Sequence, residues 1–519
     1  MRPQPRYGSL MAGERSILIV GGGTAGWLTA CHLAKYFDLA RHPSLSITLV
    51  ESPEIGIVGV GEGAFPTIRT TLQFLGIDEY AFIRETSATF KQGIRFDDWV
   101  HTPANGRHSH FLHPFEAPLY ALDDGLVAHW LSQDPAKRPP FAEAVTIQHR
   151  VSEQQRGPKT AEEAGFSAPL NYAYHFDAAR LAKLLAGRGR ELGVRHVEDR
   201  MVSAAIGADG MIEHLEFERA GRRSADLYID CTGLRAELIG KALGEPFVSA
   251  RRYLFTDSAL ACRVPHDCAD APIASYTVAA AHEAGWIWDI GLRSVRGVGC
   301  VYSSAHIDDA RARKVLAAHP GVGERAADAR LIRFEPGYRA RQWVGNCVAV
   351  GMAGGFLEPL ESTGIVVIEA AAAMIAEMFP FNGPISGPAA RFNALMTARY
   401  DNIVNFLKLH YCLSRREEPF WRENADPASI PDALQALLEQ WRYRPPSRFD
   451  FLIDVETFAF FNYQYILYGM EFRTEPAFPR GVASDATAAR QAFTRIRNFG
   501  DQAVRDLPSH RELIEAINL

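Results

Sequence analysis

Two hydrophobic periods organise this chain. Ser16–Val20 is a short apolar run that predicts a buried strand, and Ser46–Val50 predicts a second. Between them, Trp27, Leu28, Ala30, Cys31, Leu33 and Ala34 return at helical spacing. A strand, glycine loop, helix and strand closed within ~30 residues make a parallel β–α–β unit. Pro66 predicts the start of a helix that runs through Leu72 and stops near Gly76. Thr89–Phe96 alternates as one strand, with Phe90, Gln92, Ile94 and Phe96 on one face. Lys91, Gly93 and Arg95 fall on the other, where Gly93 is expected to leave room beside the lysine.

Residues 101–165 are rich in Pro, His, Asn and Gly and lack a period, so an irregular excursion is expected there. Phe176–Leu192 reads as a helix, and Val194–Glu218 as strands turning at Ala208-Asp209-Gly210. Asp226–Gly233 is a strand ending in a tight turn, Leu254–His306 an antiparallel sheet, Val344–Val350 a buried strand and Gly364–Met378 a helix. From Ala389 onward the pattern is helical and aromatic-rich. The predicted class is mixed α/β. Residues 1–100 and 166–385 form a discontinuous nucleotide-binding domain, 101–165 an insertion near the substrate side, and 386–519 a mainly helical substrate-side region.

Composition narrows the function. The 519 residues are 47% hydrophobic and 22% charged, enough for a large core. A net charge of −6 with no long basic run argues against nucleic-acid binding. The most apolar helical stretch, Ile365–Phe379, is too short to span a bilayer and contains Glu369 and Glu377. Met1–Arg15 is polar, so no secretory signal is expected. Seven cysteines without C-x-x-C read as the reduced thiols of a cytoplasmic protein. His108, His110 and His113 fit no metal-ligand spacing and are expected to be loop histidines, with no metal bound.

The chemistry begins at Gly21-Gly22-Gly23-Thr24-Ala25-Gly26. In this G-x-G-x-x-G, Gly21 permits the turn, Gly23 lets backbone approach a pyrophosphate, and Gly26 lets helix and sheet close together. The helix opening at Thr24 and Ala25 offers N–H groups to phosphate. Glu51, closing the second strand, is placed for ribose hydroxyls. Far downstream, Trp286 and Trp288 lie two apart on a predicted strand and share a face, as a wall or as paired core aromatics.

Six stretches in this order resemble the flavin-dependent halogenases, the tryptophan halogenase family. They are the glycine loop, Val58-Gly59-Val60-Gly61-Glu62-Gly63, Thr89–Phe96, Gly285-Trp286-Ile287-Trp288-Asp289-Ile290, Phe356–Ile365, and the looser His410-Tyr411 through Phe420-Trp421. The resemblance implies an FAD-binding, Rossmann-like flavin monooxygenase fold. It also implies reduced FAD supplied by a separate NAD(P)H-dependent reductase, O2 and a halide, chloride or bromide. Hypohalous acid then passes through the protein to a small electron-rich aromatic such as indole or a tryptophan derivative. Lys91 matches the essential lysine, which acts as an ammonium or as a haloamine-forming amine. Glu361 matches the catalytic glutamate, with Glu358 its rival; it orients the electrophile or accepts the ring proton. Gly21, Gly23, Thr24, Ala25, Gly26, Glu51, Gly63 and Ile365 would contact FAD, Thr363 and Gly364 halide, and Trp286 and Trp288 would wall the flavin's front. A homodimer is compatible with this reading.

The chain departs from the family pattern at Gly291, where proline is usual, and at Phe460-Phe461, where tryptophan-specific members carry Phe-Trp. Free indole is therefore as good an acceptor candidate as tryptophan. Aromatic hydroxylases of similar fold carry Gly-Asp where this chain has Gly351-Met352. Direct hydroxylation and a decayed, merely flavin-binding protein are the alternatives.

Overall fold

The computed structural model describes residues 15–41, 44–54, 56, 61–119, 124–452, 457–475 and 486–519. Three sheets position the site. The first has six strands, in the order Trp343–Val344, Cys347–Ala349, Leu227–Asp230, Arg15–Val20, Leu45–Glu51 and Arg195–Glu198. Its inner strands are parallel and deeply buried: Ile19, Leu49, Ile229 and Val348 are all fully inaccessible. The helix Thr24–Tyr36 connects its first two strands and packs against the helices Ala178–Glu191 and Thr363–Met378. The expected β–α–β unit and the return of the chain near Val344 to the same sheet are both present. The last strand, however, is a hairpin, because Gly345 turns the chain at φ +54.

The second sheet has seven strands, in the order Arg330–Arg333, Ser258–Pro265, Val295–Tyr302, Gly285–Gly291, Thr277–His282, Gly93–Asp97 and His110–Pro114. Pairing is antiparallel except between Thr277–His282 and Gly93–Asp97. The third sheet is small, with Ala173–Phe176 between Glu62–Gly63 and Thr89–Lys91.

Two expectations need correction. Thr89–Phe96 is not one strand. It breaks at Gln92, whose N–H and C=O leave the ladder for Ser275 and Phe115, so Thr89–Lys91 and Gly93–Asp97 serve different sheets. The space beside Gly93 is taken by the His113 carbonyl, which a Cβ there would approach to 2.4 Å, rather than kept for the lysine. Nor is 101–165 irregular: it carries the strand His110–Pro114 and helices at Asp124–Ser132, Phe141–Val145 and Gln148–Glu153. Its polar composition hid an edge strand whose inner residues are buried.

Beyond residue 385 the structure is helical. Ser386–Cys412, 27 residues long, buries Phe392, Ile403, Phe406, Leu407 and Tyr411 against the sheets. No helix among the described residues is long and apolar enough to cross a membrane.

Candidate active site

The glycine loop shows which of its positions the protein itself needs. A Cβ on Gly26 would lie 1.8 Å from the Gly21 carbonyl oxygen, and one on Gly21 would lie 2.3 Å from that of Cys231. Both are fixed by packing. A Cβ on Gly23 would meet nothing within 4 Å, so the space in front of it is open. Gly23 caps the helix beginning at Thr24 and Ala25 with no side-chain hydrogen bond. Free donors beside open space fit the pyrophosphate of a dinucleotide. Glu51 closes its strand with its carboxylate 2.7 Å from His196 Nε2 and packed against Gly22.

A second helix start repeats this arrangement. Ser362, at φ +57, precedes Thr363–Met378 and provides no side-chain cap, and a Cβ on Gly364 would meet nothing within 4 Å. The N–H groups around Thr363, Gly364 and Ile365 therefore present positive potential to open space. The Ser362 hydroxyl is turned elsewhere, accepting from Lys91 Nζ at 2.8 Å. Both groups sit over Gly63, where an added Cβ would come within 2.9 Å of Ser362 Oγ and 3.0 Å of Lys91 Nζ. Lys91 is fully buried, with its ammonium 5.2 Å from the centre of the Phe115 ring. Burial drives its pKa down to about 7, with Glu361 pulling the other way.

Glu361, also fully buried, neighbours Ser362 in the chain. His113 Nδ1 lies 3.0 Å from its Oε1, and His410 Nε2 lies 2.9 Å from the same oxygen. His410 Nδ1 faces the Phe406 carbonyl at 2.8 Å, which fixes the ring that holds Glu361. Burial alone would raise the Glu361 pKa; His113 and His410 outweigh it and hold the carboxyl down to about 2. Glu361 is thus a carboxylate, and among the described residues its Oε2 is engaged only by His113, at 3.2 Å. Glu358 points away, to Thr256 and Tyr411, and burial pushes its pKa up to about 7.

His113 is the residue that sequence reasoning missed. It was expected in a loop. It lies instead in the strand His110–Pro114, 1% exposed, bridging Glu361 to Asn462 Oδ1 at 2.9 Å. The apolar pair Phe111-Leu112 between His110 and His113 was the available signal, too short to stand out in its polar surroundings. Ser362 and His410 were also named only as parts of motifs.

Trp286 and Trp288 lie in the middle of the seven-stranded sheet, their rings 6.4 Å apart. Small cross-strand neighbours make room for them: Ala281 beside Trp286, and Ala279 and Gly299 beside Trp288. A Cβ on Gly299 would come within 2.1 Å of the Trp288 ring. The strand ends at Gly291, whose carbonyl accepts from the Thr89 hydroxyl at 2.6 Å and so fastens the tryptophan strand to that of Lys91.

The family model described as tryptophan halogenase matches residues 16–486. This chain belongs to the tryptophan halogenase family. The tryptophan 6-halogenase SttH of Streptomyces toxytricini is 36% identical over 96% of this chain and 98% of its own length. The tryptophan 7-halogenase RebH of Lentzea aerocolonigenes is 35% identical over 82% of this chain and 81% of its own. The crystal structure of a tryptophan halogenase from Shewanella frigidimarina superposes with a TM-score of 0.93 at 40% identity, covering 98% of both chains. The expected family, flavin-halogenase fold and enzyme class are therefore correct, and the family takes FADH2 and halide. Both open helix starts described above suit those ligands.

Proposed function

We propose that this halogenase uses reduced FAD, O2 and chloride or bromide to halogenate an electron-rich aromatic ring, an indole or a tryptophan derivative, with Lys91 and Glu361 as its catalytic pair. The observation that carries the reading is the sequence Glu361-Ser362-Thr363-Gly364. Within four residues it places a histidine-bound carboxylate, the hydroxyl that holds Lys91, and an uncapped helix N-terminus.

Gly21, Gly23, Thr24, Ala25, Gly26 and Glu51 would hold the adenylate half of FAD, with Gly63 and Ile365 nearer the flavin ring. Bound reduced flavin supplies, with O2 and halide, the hypohalous acid. Thr363 and Gly364 hold the halide through backbone N–H groups. Trp286 and Trp288 keep the aromatic acceptor from the flavin. Lys91 donates a hydrogen bond to the oxygen of hypohalous acid. As the ring carbon takes the halogen, the oxygen–halogen bond breaks, and the oxygen leaves as water with the Lys91 proton. The ring proton passes to Glu361. A carboxylate of low pKa suffices there, because a ring carbon bearing both halogen and hydrogen is a strong acid, and the negative charge also stabilises the cationic ring.

A separate NAD(P)H-dependent reductase is the transient partner. The test is incubation with FAD, such a reductase, NADH, halide, and a panel of indoles and phenols that includes tryptophan and free indole. Products bearing the halogen isotope pattern are expected. Oxygenated products formed equally well without halide would overturn the reading.

A further inference from the structure

Lys91 ends an edge strand, and the outer side of that strand is closed by a side chain rather than by another strand. Ala173–Phe176 covers the inner side of Thr89–Lys91. On the outer side the Gln92 N–H meets the Ser275 carbonyl at 2.6 Å. Two residues back along both segments, Phe90 and Ile273 are joined through His510. Its Nε2 accepts from the Phe90 N–H at 2.9 Å, and its Nδ1 lies 3.1 Å from the Ile273 carbonyl. A peptide N–H only donates and a carbonyl only accepts, so the imidazole proton is on Nδ1 and the ring is neutral. The ring is fully buried, and burial pushes its pKa down to about 4. The helix His510–Asn518 fixes its place: Ser509 and Glu512 form a capping box at its start, and Arg511 donates to the Ala271 and Arg293 carbonyls at 2.9 and 2.7 Å.

We infer that His510 is a positioning residue for Lys91: its imidazole stands in for a backbone rung and holds the strand Thr89–Lys91 where the Lys91 ammonium meets Ser362. This rests on the halogenase reading proposed above, and residue 510 lies beyond the stretch that the family model matches. The strand has only three residues, and its ammonium donates to Ser362 Oγ at 2.8 Å. A displacement of about 0.4 Å takes such a bond to the end of its usual range. The N–H groups of Phe90 and Gln92 flank Lys91 on the outer edge, so anchoring both anchors the backbone between them. Without His510 the Phe90 N–H would be a buried donor with no acceptor, and the strand would shift or admit water to regain one.

Two substitutions separate the two bonds of the ring. His510→Asn keeps an amide N–H near Nδ1 for the Ile273 carbonyl but falls short of Phe90. His510→Gln carries an amide oxygen out to the place of Nε2, where it accepts from Phe90. In His510→Asn, single-turnover halogenation should fall about ten-fold, the scale of one buried hydrogen bond, while FAD affinity stays within about two-fold of the parent. The pH midpoint of that turnover should move up from about 7 towards the ordinary lysine range, because a loosened strand lets water reach the ammonium. His510→Gln should bring the rate back to within about three-fold of the parent and return the midpoint. Without turnover, amide hydrogen exchange in residues 88–92 should be faster in His510→Asn than in the parent, slow again in His510→Gln, and unchanged in residues 15–36 of both. A parent-like rate or an unmoved midpoint in His510→Asn would overturn the inference. So would a loss that His510→Gln does not recover, a fall in rate matched by a fall in FAD affinity, or unchanged exchange in residues 88–92. If the parent itself made no halogenated product, the proposed function would fall, and the exchange measurement would still decide whether His510 holds the strand.

Discussion

Lys91 shows how far a single buried charge can be specified by its surroundings. An ammonium without water needs acceptors, yet its close partner is one neutral hydroxyl, that of Ser362, with the carboxylate of Glu361 acting through space. The pKa near 7 that results leaves the proton ready to move at neutral pH. Lys91→Ala should abolish halogenation in the reductase-coupled assay with FAD still bound, and Lys91→Arg should restore little, because guanidinium is bulkier and keeps its proton. Since the proposed role requires the proton, single-turnover halogenation should fall as pH rises through about 7. A rise over that range would favour the haloamine route instead. The same burial costs stability. The unfolded chain holds this proton up to about pH 10 and the folded protein only to about 7, so the cost is nearly complete at or below pH 7 and fades above it. Lys91→Met should therefore raise the melting temperature by several degrees at pH 7 and by much less at pH 10, while removing activity.

At the scale of elements, two helix starts and one broken strand make the site. The glycine loop offers a clean separation of packing from binding. Gly23→Val should leave the melting temperature within about 2 °C of the parent, since its new side chain begins in open space, while FAD affinity drops at least ten-fold, measured by fluorescence titration. Gly26→Val should instead lower the melting temperature itself, because its Cβ would collide with the Gly21 carbonyl. This loop was legible in the sequence because strand, turn and helix follow one another within one local unit. The break at Gln92 was not. Nothing in the alternation of Thr89–Phe96 marks it, because what ends the first strand is tertiary: Gln92 bonds to Ser275 and Phe115, and its side chain to the Arg156 carbonyl. His113 escaped for the same reason. Its partners Glu361 and Asn462 lie 248 and 349 positions away, and no local period encodes such a pairing.

Across the whole molecule, the segment expected to be an excursion is a load shared by several elements. Buried Glu79 accepts from Lys159, from Tyr172 and Tyr174, and from the Phe166 N–H, joining the helix Glu79–Thr86 to residues 159–166 and to the strand Ala173–Phe176. Glu79→Leu should cost about 3–5 kcal/mol, as breaking a buried ion pair does, read as a drop in the urea midpoint. An unchanged midpoint would mean that the segment is held elsewhere. The sequence foretold the β–α–β unit, the return of the chain near Val344 to its sheet and the family motifs, but not how the seven-stranded sheet recruits the strand His110–Pro114 to close over Glu361.

One contact has a consequence for the life of the chain on the ribosome. The Phe90 N–H, next to Lys91, donates to His510 Nε2 at 2.9 Å across 420 residues, and His510 is itself fixed by the Ile273 carbonyl. The strand bearing Lys91 therefore gains this hydrogen bond only once residue 510 has emerged and its helix has docked. A nascent chain whose glycine loop is already complete still lacks this contact beside Lys91, so the proposed catalytic amine is seated among the late events of synthesis.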